Sequence, residues 1–149
     1  MGTVRQELGE RGELIVVKKC ACARCKRPRT LKRLLTNFKC ADVICGFCGY
    51  LAQVKASTVR NVEVVPDRLL GGAWSVQQAR MDAGIYFPLF LVLVSNAGRK
   101  TSVYYLSADV QRSEMFLVRS PLSETARRAG WQGFIYDLRS VKGAFVRLA

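Results

Sequence analysis

Two cysteine pairs, and the polar residues around the second, are where this sequence carries chemistry. Cys22-Ala-Arg-Cys25 and Cys45-Gly-Phe-Cys48 are both CxxC, with residues 26–44 between them. Each tight turn presents two thiolates, and two such turns at this separation suit one tetrahedral Zn²⁺, as in four-cysteine zinc ribbons. Gly46 and Gly49 relax the second turn, where amides approach sulfur. Four cysteines close the coordination sphere, so the ion would be structural. A redox dithiol is the competing reading. The polar start MGTVRQELGERG has no apolar secretory core, which favours a reducing compartment and metal. Cys20 and Cys40 are left over and read as free, semi-buried thiols, although Cys20 could stand in for Cys22.

The run CADVICGFCGYLAQVKAS, residues 40–57, places Asp42 before the second pair and Gln53 and Lys55 after it. Leu51, Gln53 and Lys55 alternate with Ala52, Val54 and Ala56, so Gln53 and Lys55 share one face of a strand. An Asp on one strand, with an oxygen donor and a Lys two apart on its neighbour, makes a divalent-ion and phosphate site. Asp42 and Gln53 offer side-chain oxygens to Mg²⁺, and Val54 its backbone carbonyl. Lys55 can hold the attacking water or stabilise charge on the phosphate. Taken alone, Asp42 and Lys55 are more often a solvated pair on a strand face.

The elements that must hold these residues are legible in part. A chain of 149 residues that is 50% hydrophobic can bury the core of one domain. With 24 Lys and Arg against 11 acids, the net charge is +13, a field that favours polyanions, nucleic acid before membrane. There are no histidines, which excludes histidine triads, histidine bases and histidine metal ligands. The most apolar stretch, Ile85 to Ser95, is too short to cross a bilayer and suits a buried strand. A basic run spans Arg24 to Arg33. Local patterning predicts strands at Glu13–Lys18, Lys39–Cys45, Tyr50–Ser57, Phe87–Ser95, Thr101–Leu106, Met115–Arg119, Gly133–Leu138 and Ala144–Leu148. It predicts a helix over Ala73–Ala83 after the Gly71-Gly72 break, and a hairpin turn at Ala97–Lys100. Ser123 predicts the cap of a short helix through Ala129, stopped by Gly130. No repeat or linker divides the chain. The expectation is one α/β domain.

Three segments, in order, resemble the DpnI-type methyl-directed restriction endonucleases, PD-(D/E)XK nucleases with an inserted zinc ribbon. They are Asp42 to Lys55, Gly72-Ala73-Trp74, and Ser120-Pro-Leu-Ser-Glu-Thr-Ala-Arg-Arg-Ala-Gly-Trp-Gln-Gly133 with the following Asp137-Leu138. The resemblance runs from about Cys22 to Leu148. It implies a PD-(D/E)XK core, a central mixed sheet flanked by helices, with a four-cysteine zinc ribbon at about residues 20–50. It implies Mg²⁺-dependent cleavage of double-stranded DNA at GATC methylated on the adenine amine. Asp42, Gln53 and Lys55 would be catalytic. Trp131 would lie at the methyl group, and Arg127 and Arg128 would contact guanine edges or phosphates. A methyl group has no hydrogen-bond signature, and an indole supplies apolar area and shape against it. Without the resemblance, Trp131 reads as a core aromatic and the two arginines as a solvated helix face.

Two features depart from the family pattern. Gln53 stands where the family has an acid; it keeps one carbonyl oxygen and loses the charge, which weakens ion binding. Second, the sequence ends at Ala149, where such enzymes often continue into a winged-helix domain. The expectation is a monomeric, cytoplasmic enzyme of prokaryotic type acting at the nucleoid. It would use catalytic Mg²⁺ and structural Zn²⁺, act on methylated double-stranded DNA and have no membrane partner. The alternative is a catalytically weak or inactive zinc-ribbon module that binds methylated DNA.

Overall fold

The computed structural model describes residues 3–35 and 41–149. In chain order the elements are α1 (Val4–Lys19), β1 (Leu31–Arg33), β2 (Val43–Cys45), β3 (Leu51–Val59), β4 (Arg68–Ala73), α2 (Trp74–Asp82), β5 (Leu89–Ser95), β6 (Thr101–Leu106), β7 (Phe116–Val118), β8 (Gly133–Asp137) and β9 (Val146–Arg147). Short 3-10 turns lie at Ala108–Val110, Ser113–Met115 and Lys142–Ala144. The chain divides into two compact units. One is Met1–Val64 with Phe87–Ala108 and Phe145–Ala149; the other is Val65–Tyr86 with Asp109–Ala144.

The first unit is built on a six-stranded sheet in the order β1-β2-β3-β5-β6-β9. It is a mixed sheet, because β3 runs parallel to β5 while the other pairs are antiparallel. β5 has buried residues from Leu89 to Val94, which is what a strand covered on both faces requires. The expected hairpin from β5 to β6 is present, with Gly98 at φ 75° in its turn.

The segment Glu13–Lys18, expected as a strand, is instead the second half of α1. Its β-branched run favours a strand locally. The helix is nucleated upstream, where Thr3 and Gln6 form a capping box: the Gln6 amide donates to the Thr3 hydroxyl at 3.2 Å, and the Thr3 amide to the Gln6 side chain at 2.8 Å. Gly12 and Val16, one turn apart, are then buried against the sheet. The approach is close. A Cβ built on Gly12 would lie 2.8 Å from the Ala56 Cβ. The core beneath α1 contains Val16, Val43, Ala52, Val54, Phe90 and Val92.

The second unit carries a three-stranded antiparallel sheet, β4-β8-β7, followed in sequence from β4 by the expected helix α2. Phe116, Phe134 and Tyr136 form its aromatic centre, with ring centroids 5.1 to 5.7 Å apart. The helix expected from Ser123 to Ala129 does not form; the segment is a series of turns. Its ends are tied together, Leu122 N donating to Trp131 O at 2.9 Å and Gly130 N to Leu122 O at 3.0 Å. A loop closed over so few residues has no room for a stable helix. Ser123 Oγ bonds Thr125 Oγ1 at 3.1 Å rather than capping. The late strand is limited to Val146–Arg147. Among the described residues no helix is long and apolar enough to cross a membrane.

Candidate functional site

The four cysteines meet. Cys22 Sγ lies 3.6 Å from Cys48 Sγ and Cys25 Sγ lies 3.7 Å from Cys45 Sγ, and all four sulfurs fall within 4.8 Å of one another. These separations are too long for disulfides. A tetrahedron with Zn–S bonds of about 2.3 Å has sulfurs about 3.8 Å apart. The cluster therefore has the size and the donor set for one zinc ion.

The two turns are built alike. Cys22 N donates to Arg27 O at 3.1 Å and Lys26 N to Cys22 O at 3.0 Å; Cys45 N donates to Tyr50 O at 2.8 Å and Gly49 N to Cys45 O at 2.9 Å. Cys48 N also donates to Cys45 Sγ at 3.4 Å. Burial pushes the Cys45 thiol up, but hydrogen bonds with Thr30 and from the Cys48 and Phe47 amides outweigh it and hold the pKa at about 6. That favours the thiolate a metal needs. Cys20, at the end of α1, is buried and stands outside the cluster; burial raises its thiol to about 11 and keeps it protonated. Cys40 and the start of the expected strand Lys39–Cys45 lie outside the described residues.

The same strand pair that carries Cys45 and Cys48 carries Asp42, Gln53 and Lys55. β2 pairs with β3 through Val43↔Ala52 and Ile44↔Leu51. One further step in that register sets Asp42 across from Gln53, and Asp42 N donates to Ala52 O at 3.0 Å. Along β3, Ala52 and Val54 are buried while Gln53 and Lys55 are half-buried on the opposite face. Asp42 Oδ2 accepts from Val54 N at 2.8 Å. On its other side β3 is bonded to the β5 strand, Gln53 N donating to Pro88 O at 2.9 Å. A strand residue's N–H and C=O point to the same side, so the Val54 carbonyl is directed to the edge where Asp42 sits.

Sequence reasoning missed Glu13. A shallow pocket is lined by Gln6, Glu10, Glu13, Arg33, Leu34 and Asp42. Burial first, and then the charge of Asp42, raise the Glu13 carboxyl above its ordinary value, while Arg33 opposes them. Arg33 bridges Glu13 at 3.2 Å and Glu10 at 3.5 Å. The signal was a helical spacing, 6-10-13, hidden by the strand expectation for that segment.

Trp131, Arg127 and Arg128 belong to the second unit. The Arg128 guanidinium lies 4.7 Å from the Trp131 ring centroid, and both arginines are exposed. Trp131 is half-buried and packs close to Gly133, where a Cβ would lie 2.7 Å from the nearest ring atom. Nearby in sequence, Asp137 is held by Arg139 at 2.8 Å.

A family model described as DpnI, Dam-replacing family, matches residues 6–147. No curated protein matches the chain.

Proposed function

Because this chain belongs to the DpnI, Dam-replacing family, we propose that it is a methyl-directed type II restriction endonuclease on a PD-(D/E)XK core, cutting double-stranded DNA at adenine-methylated sites such as methylated GATC. The family match over nearly the whole chain supports a methylation-dependent restriction role. One observation carries the assignment of the site: the Asp42 carboxylate is hydrogen-bonded at 2.8 Å by the amide of Val54, the residue between Gln53 and Lys55. This bond ties the acid to the strand that bears its two partners.

The donor set suits Mg²⁺, a hard cation that takes carboxylate, amide and main-chain oxygens. Asp42, Gln53 and the Val54 carbonyl would hold it. When bound, the ion supplies Lewis acidity at the scissile phosphate and lowers the pKa of a bound water. Asp42 is kept in one orientation by the Val54 amide. Lys55 orients a water by hydrogen bonding and offsets the negative charge that grows on the phosphate oxygens. The cysteine cluster, holding zinc, fastens the turn between the Asp42 and Gln53 strands, so the scaffold and the reacting groups occupy one strand pair. Trp131 reads the methyl by apolar contact, with Arg127 and Arg128 on guanine edges or phosphates.

A second reading, a methylated-DNA binding module with little or no cleavage, is favoured by Gln53 alone. An amide in the acid's place removes one negative charge from the ion site.

Digestion of adenine-methylated and unmethylated plasmid with Mg²⁺ tests both. The nuclease reading expects cutting of methylated plasmid only, abolished in Asp42→Ala and Lys55→Ala with zinc content and fold retained. It expects Trp131→Ala to narrow the ratio between the two plasmids. Retained cutting in both Asp42→Ala and Lys55→Ala would sink the site. If methyl-dependent binding occurs without cutting, and Gln53→Glu restores cutting, the second reading holds.

A further inference from the structure

The two cysteine turns share one backbone plan and differ in what they place on it. Each needs a left-handed residue just after its second cysteine. In the second turn that residue is Gly49, φ 78°, which bears the conformation without strain. In the first it is Lys26, φ 64°. Three residues on, Arg29 is left-handed as well, φ 59°. Among the described residues these two are the non-glycine residues with positive φ. A long basic side chain is kept at a place where glycine fits better, and a strained conformation retained in this way is a pointer to function.

The charge around them is unopposed. Arg24, Lys26, Arg27, Arg29 and Lys32 are all exposed. Among the described residues none of the five is in an ion pair, whereas the next basic residue, Arg33, is paired with Glu10 and Glu13. No acid occurs in the sequence between Glu13 and Asp42. Arg29 and Lys32 also line an open groove with Lys18 and Arg33.

The two arginines are held ready. The Arg27 guanidinium lies 3.8 Å from the ring centroid of Phe47, and that of Arg24 lies 5.1 Å from the ring of Tyr50. Each arginine of the first turn thus stacks on an aromatic ring at or just after the second. Phe47 is 62% exposed, so the arginine stacked on it stands at the surface. Stacking fixes the guanidinium plane and leaves its N–H edge to solvent, which is the fork that matches a phosphate.

We propose that the first cysteine turn is a phosphate grip for the DNA duplex, with Lys26 and Arg29 acting as point charges and Arg24 and Arg27 as stacked forks. The proposal rests on the nuclease reading, since the duplex is the substrate of that reaction. It makes the metal cluster a structural support and also the mount of a binding surface. Phosphate contacts carry no sequence information, so this grip is blind to methylation.

The test is binding of a fluorescein-labelled duplex to the zinc-loaded full chain, in buffer without Mg²⁺, over a series of KCl concentrations. The variants are Lys26→Gly and the pair Arg24→Gln with Arg27→Gln. Lys26→Gly relieves the left-handed strain, so its zinc content should match wild type and its thermal midpoint should be equal or higher. Its affinity should nevertheless fall several-fold at low salt, with methylated and unmethylated duplexes affected alike. The slope of log K against log salt should fall by about 0.9 for each phosphate that is no longer neutralised. The double variant should lose about twice that. Wild-type affinity and slope in both variants would overturn the grip while leaving the nuclease reading standing. A wild-type chain that binds neither duplex would overturn both.

Discussion

Asp137 shows how one side chain can couple the fold to pH. The Arg139 side chain, and then its backbone amide, hydrogen-bond the carboxylate and lower its pKa from 3.8 to about 2. The folded chain therefore releases that proton more readily than the unfolded one. The stabilisation is fully present above pH 3.8 and fades as the pH falls toward about 2. Asp137→Asn should lower stability by a constant amount between pH 6 and 8 and flatten this part of the acid limb of a stability-against-pH curve measured by urea unfolding. An unaltered acid limb would show that the pair contributes nothing. The cysteine cluster was the most legible feature of the sequence. CxxC spacing is local, and thiolates on such turns have few alternatives to metal. The placement of Asp42, Gln53 and Lys55 on one strand pair was legible because the strands that hold them adjoin in sequence as well as in space. Glu13 was not, because its place beside Asp42 depends on a long-range packing of helix on sheet.

That packing is where α1 and the strands were hardest to read. ELIVVK is a strand by composition, and only the cap at Thr3, well upstream, and the burial of Gly12 and Val16 make it a helix. The segment Ser123–Ala129 erred in the opposite direction, because a good cap residue was committed to a closed loop. β4 was missed because Gly71-Gly72 reads as a break, although both glycines lie in a strand. By contrast, the β5–β6 hairpin and α2 were legible from their own residues. The α1 contact yields a prediction. Gly12→Ala gains about 1 kcal/mol of helix propensity. It also forces a Cβ to 2.8 Å from Ala56, on a strand that is bonded on both sides. Overpacking of this kind costs about 1–3 kcal/mol. The net expectation is a loss, read as a thermal midpoint lower by several degrees, and a midpoint at or above wild type would refute the close approach.

At the level of the whole chain, the path between the two units has a kinetic consequence. The chain leaves the first unit after Val64 and returns at Phe87, then leaves after Ala108 and returns at Phe145. The parallel pair β3–β5 and the edge pair β6–β9 are thus each closed by a segment that belongs to the second unit. Closing a loop of flexible chain carries an entropic cost that grows with its length. The pairing of β4 with β8 closes a longer loop than either, one that contains the whole β5–β6 hairpin, and closing the pairs of the first unit shortens that loop beforehand. The first unit would then act as a clasp whose early folding lowers the entropic barrier to assembling the second. Phe134→Ala, which empties the aromatic centre of the second unit, should slow the return of amide protection at Leu69 and Tyr136 during refolding and leave it at the wild-type rate at Phe90 to Val94. Slower recovery at Phe90 to Val94 would mean that the sheet around β5 waits for the second unit.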